Sequence, residues 1–175
     1  MQPSSKGNAS KFIVAGIIGA LAVGIAYGAV SGAFSSVTPP VVSNEPQNDR
    51  VTMHIHAILH IIIGGKSVTI PANIGINPEL YKSHDLDAYG MKNPSMSPLH
   101  THDSSGVIHV ESTEVRPFTL GEFFDIWGVA FSEDCLIDKC SNGTDMVRMY
   151  VDGKERNEFR QHIFMDGEGI EIVMP

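Results

Sequence analysis

Two hydrophobic patterns divide the chain. Residues 12–34, FIVAGIIGALAVGIAYGAVSGAF, run without a charge, longer than the roughly 20 apolar residues a membrane-spanning helix needs. Residues 53–63, MHIHAILHIII, alternate instead. Successive side chains of a strand point to opposite faces, so Ile55, Ala57, Leu59, Ile61 and Ile63 form an apolar face. His54, His56, Ile58, His60 and Ile62 form the other. The pattern predicts a strand over 51–63, turned at Gly64-Gly65 into a second strand over KSVTIPA. VIHVE (107–111) splits the same way, with Ile108 and Val110 on one side and Val107, His109 and Glu111 on the other.

A different period follows. In FTLGEFFDIWG, Leu120, Phe123, Phe124 and Trp127 fall at i, i+3, i+4 and i+7. Thr119 and Glu122 have capping-box spacing and Gly128 supplies a stop, which predicts a short amphipathic helix packed on a sheet. MVRMYVDGKERNEF predicts a strand entering a hairpin at Asp152-Gly153, and HIFMDGEGIEIVMP a turn and a closing strand. The order is hairpin, insertion, helix, hairpin-like pair and final strand. It predicts an α+β, β-grasp-like domain, with a mixed sheet, one short packed helix and an insertion between residues 72 and 106.

The predicted organisation is therefore a cytoplasmic N-terminus (1–11), a transmembrane helix (12–34), a Pro- and Ser-rich linker (35–50) and an extracytoplasmic domain (51–175). Lys6 and Lys11 precede the apolar run and no Lys or Arg follows until Arg50, which by the positive-inside bias leaves everything after Phe34 outside the cell. Ser31-Gly32-Ala33 would also serve as a signal-peptidase site, but the run is longer than a signal peptide's apolar core. Gly16, Ala20, Gly24, Gly28 and Gly32 recur at every fourth position. Such a stripe lets helix backbones approach closely in lipid, so membrane lipid and another transmembrane helix, in a homo-oligomer or a larger membrane complex, are the expected partners. A formal charge of -8 excludes binding through a nucleic-acid backbone, which needs clustered Lys and Arg.

Candidate chemistry concentrates in the histidines. Six of the eight lie in two short runs: His54, His56 and His60 in MHIHAILH, and His100, His102 and His109 in SPLHTHDSSGVIHVES, where Asp103 and Glu111 are interleaved. A His-x-His pair on a strand places two imidazoles on one face roughly 7 Å apart along the chain, and two such pairs brought together suit zinc or Cu(II). The expectation is that His54, His56, His100 and His102 enter one coordination sphere, completed or oriented by His109 and Glu111, with Asp103 fixing the tautomer of His102. His60, two pleats along, is expected outside it, as are His84 and His162. Met91 and Met96, just before His100, hint at Cu(I). Cys135 and Cys140 are expected to close a local disulfide outside the cell, and Asn142-Gly-Thr is a glycosylation sequon.

The segments HIHAILHIIIGGKSVTIPANIGI, LHTHDSSGVIHVES, FTLGEFFDIWGV and VDGK…DGEGIEIVMP together resemble a family of uncharacterised prokaryotic proteins, membrane-anchored or secreted, built around an LHTHD-x-x-G-x-IHVE segment. The resemblance covers most of residues 54–175 and implies no activity. The residues themselves point to a membrane-anchored, extracytoplasmic transition-metal-binding protein, an accessory or metal-handling subunit of a membrane complex. Two alternatives stand beside it. One is a metal-dependent hydrolase or oxidoreductase using the His cluster, with Glu111 as general base. The other is a purely structural subunit of a membrane enzyme complex, such as a copper enzyme. No G-x-S-x-G, phosphate-binding loop or dinucleotide fingerprint occurs.

Overall fold

The alternating run becomes one long strand, β1 (Met53–Ile63), whose apolar face is buried at Ala57, Leu59, Ile61 and Ile63 while His54, His56 and His60 are exposed. This computed structural model describes residues 50–175. The predicted span, its stripe at Gly16, Ala20, Gly24, Gly28 and Gly32, and the linker up to residue 49 lie outside the described residues. Among the described residues no helix is long and apolar enough to cross a membrane.

Seven strands make the main sheet: β1, then β2 (Lys66–Val68), β3 (Leu99–His100), β4 (Val107–Ser112), β5 (Arg148–Val151), β6 (Lys154–Arg156) and β7 (Gly169–Met174). They lie in the order β6-β5-β7-β1-β4-β3, with β2 also paired to β1. The two halves of β1 have different neighbours. From Ile58 to Ile63 it runs parallel to β7, and its last three residues pair antiparallel with β2. From Met53 to Ile58 it pairs antiparallel with β4, which carries β3 on its far edge. The second strand ends earlier than the expected KSVTIPA; Pro71, within that stretch, has no N–H to donate to a ladder.

The helix forms where its period and caps predict. It is α1 (Leu120–Trp127), with Leu120, Phe123, Phe124, Ile126 and Trp127 buried. Thr119 Oγ1 accepts from the Glu122 N–H at 3.3 Å, and Glu122 Oε2 accepts from the Thr119 N–H at 2.7 Å. At the other end Gly128, with φ +81°, donates its N–H to the Phe124 carbonyl at 2.8 Å. The aromatic stripe packs into one core with Leu59, Ile61, Ile108, Met149, Ile170 and Ile172. The domain is thus mixed α+β, mostly sheet with one short helix.

The segment between β2 and α1 supplies β3 and β4 as well as a two-strand ladder of Met91–Lys92 with Ser95–Met96. Gly106 lets this segment dock. Its φ is +88°, its carbonyl accepts from the Leu59 N–H at 2.8 Å, and a Cβ there would lie 2.4 Å from the Leu59 oxygen, so only glycine permits the approach. After α1, Cys135 and Cys140 face each other on a small antiparallel ladder and are joined by a disulfide, as expected.

Candidate metal centre

The sheet register assembles the histidines. His56 on β1 opposes His109 on β4, and His109 opposes His100 on β3, so three imidazoles stand in a row across three strands. Directly opposed residues share a face. His54 opposes Glu111 in the same way. His102 follows β3 and brings its ring centroid to 4.8 Å from that of His100 and 4.6 Å from that of His109.

Within each His-x-His pair the Nε2 atoms converge, at 3.2 Å for His54 and His56 and 3.3 Å for His100 and His102. Two ligands of a tetrahedral zinc ion, each about 2.1 Å from the metal, are about 3.4 Å apart, so both spacings fit shared coordination. The His109 ring lies 4.7 Å from His56 and stacks at 5.5 Å on His100. Glu111 Oε1 is 3.1 Å from His54 Nε2 and 3.8 Å from His109 Nδ1. The donors form two overlapping sets, each with its ligand atoms within 4.8 Å of one another: His54, His56 and His109, and His100, His102, His109 and Glu111. Either set can hold a metal ion.

Local environment favours the neutral, ligating form of the inner rings. His100 is fully buried, and its Nδ1 lies 2.9 Å from the Ser97 carbonyl. A carbonyl only accepts, so Nδ1 carries the proton and the Nε2 lone pair faces His102. Burial pushes the His100 pKa down to about 4, with the like charges of His102 and His109 acting in the same direction and the Ser97 carbonyl and Glu111 opposing. Burial also lowers the pKa of His109, helped by His102 and His56. His109 Nδ1 is buried with no hydrogen-bond partner among the described residues, an expensive position for a polar atom that a metal ion would relieve.

All six expected donors thus meet on one face, but the two His-x-His pairs flank His109 instead of facing each other. The reason is β4, which runs between them; strands two apart are separated by about 9.6 Å. Asp103 does not orient His102. Its carboxylate accepts from the Ser105 N–H at 2.8 Å, and the Ser105 hydrogen bonds hold it below the ordinary carboxylate range. His60 is exposed and belongs to neither set, His84 bonds Asp87, and the buried His162 bonds Glu168 at 3.0 Å. Met91 and Met96 are register partners on their own ladder.

Sequence reasoning missed two supports of His100. Ser97 acts through its carbonyl, which any residue possesses. Gly75, at φ +71°, accepts from the Ser97 N–H, and a Cβ there would lie 2.5 Å from the Leu99 oxygen and 3.3 Å from the His100 Cβ. Compared with protein-family profiles, curated proteins and solved structures, the chain has no match.

Proposed function

We propose that this chain is a membrane-anchored, extracytoplasmic transition-metal-binding protein that serves as a metal-handling or accessory subunit beside a membrane partner. The observation that carries the metal reading is the pair of donor sets meeting at His109. Five imidazoles and a carboxylate, with both cysteines occupied in a disulfide, make a donor set for zinc or Cu(II) and offer no thiolate. Anchoring is supported by the uncharged run 12–34 and the Lys6 and Lys11 that precede it, and lateral association by the small-residue stripe. The scaffold is read as an elaborated β-grasp domain, because β2-β1-β7-β5-β6 places the first and last strands side by side and parallel with a hairpin on either side.

The test is elemental analysis of the full chain, purified from membranes without an affinity tag. Copper or zinc at one or more ions per chain is expected, falling when His54, His56 and His102 are all replaced by Ala. Protein that holds no transition metal after dialysis against micromolar copper or zinc would refute the reading.

A further inference from the structure

From the arrangement around His109 we infer a two-ion centre, in which one ion is held by His54, His56 and His109 and a second by His100, His102, Glu111 and the same His109. The inference rests on the metal-binding reading above and adds stoichiometry and a bridge to it.

Donor supply is the first argument. The face presents five histidines and one glutamate, more than a four-coordinate ion uses. The donors also divide spatially, because each Nε2 pair converges on its own flank of β4. A single ion at either flank leaves the other pair's Nε2 atoms, 3.2 or 3.3 Å apart, with no ion between them.

His109 is the second argument. Among the described residues it alone belongs to both sets, and an imidazole ring has two nitrogens, so one ring can bind an ion on each side. Its Nδ1 is buried without a partner, although histidine ligands normally give their second nitrogen a hydrogen-bond acceptor. When both nitrogens bind metal, the ring N–H proton leaves to solvent and the ring becomes a bridging imidazolate. Two dications so close together repel. The imidazolate and the Glu111 carboxylate, which lies 3.1 Å from His54 Nε2 and 3.8 Å from His109 Nδ1, supply negative charge between them.

The experiment uses full-length protein in mild detergent, stripped of metal and reloaded with Zn²⁺ or Cu²⁺. Wild type should bind two ions per chain. The His54→Ala/His56→Ala variant and the His102→Ala variant alter only exposed side chains and should each bind one. With Cu²⁺, the wild-type electron-spin signal should integrate to well below two spins because the ions couple through the bridge. Each variant should recover one full, uncoupled spin. One ion in wild type, lost equally in both variants, would overturn the two-ion centre while leaving metal binding intact; two ions with two uncoupled spins would overturn the His109 bridge. No binding at all would refute the function itself.

Discussion

The two flanks of His109 are chemically similar and physically unlike. On the β3 side, His100 has no exposed surface and its Nδ1 is tied to the Ser97 carbonyl. On the β1 side, 52% of the His54 side chain is exposed, and its Nε2 contacts His56 and Glu111. Burial fixes a ring's rotamer and tautomer before any ligand arrives, whereas an exposed ring is ordered only on binding and bears that entropy cost then. The β3 flank is therefore the preordered half and the β1 flank the open one.

Substitution of His100 should separate the halves most sharply. His100→Ala removes a fully buried ring and leaves the Ser97 carbonyl unpaired, so the metal-free protein should lose about 2–4 kcal/mol in denaturant unfolding. An unchanged midpoint would show that the β3 flank is not structural. Gly106→Ala comes next. A side chain at φ +88°, aimed at the Leu59 oxygen, should cost more than about 1 kcal/mol and reduce metal occupancy, because it displaces β4 and with it His109. Full occupancy in a destabilised variant would argue that the register at Leu59 does not set the site.

Acid should act on the buried flank first. A histidine with a pKa near 4 when folded and about 6.5 when unfolded takes up its proton more readily in the unfolded state. Stability of the metal-free protein should therefore fall as pH drops from about 6.5 towards 4 and be insensitive to this group above that window. The His100→Gln variant should show a shallower decline over the same range, measured by thermal or denaturant melts. An identical slope would assign the acid sensitivity elsewhere. The smallest effect on stability belongs to His54→Ala, expected within about 0.5 kcal/mol of wild type, while the proposed ion at the β1 flank should be lost. A large destabilisation there would erase the distinction between the flanks.

Much of this was legible in the chain, and the limits have physical causes. Alternation over 54–62 set the two faces of β1, because one face must be dry, and the Thr119 and Glu122 spacing with Gly128 marked both ends of α1. The six residues that meet on this face were legible as a group. Their division was not, since the order of strands is a long-range fact: nothing local in HIHAILH or LHTHD states that β4 runs between them. The depth of His100 was hidden because β3 is two residues long, too short to show a period. Asp103 was misread because a carboxylate two residues before a backbone N–H finds a turn more readily than a neighbouring ring.

The parallel pairing of β1 with β7 has a consequence for assembly. His56 gives its N–H to Asp166 Oδ1 and takes one at its carbonyl from Gly167, and the next ladder bond runs from the Ile58 N–H to the Glu168 carbonyl. The strand that presents the first histidines is thus clamped by residues 110 positions later, and contacts of such separation form slowly. During synthesis the histidines emerge long before their clamp. The backbone bonds that fix His56 can therefore close only after Asp166 and Gly167 have been made.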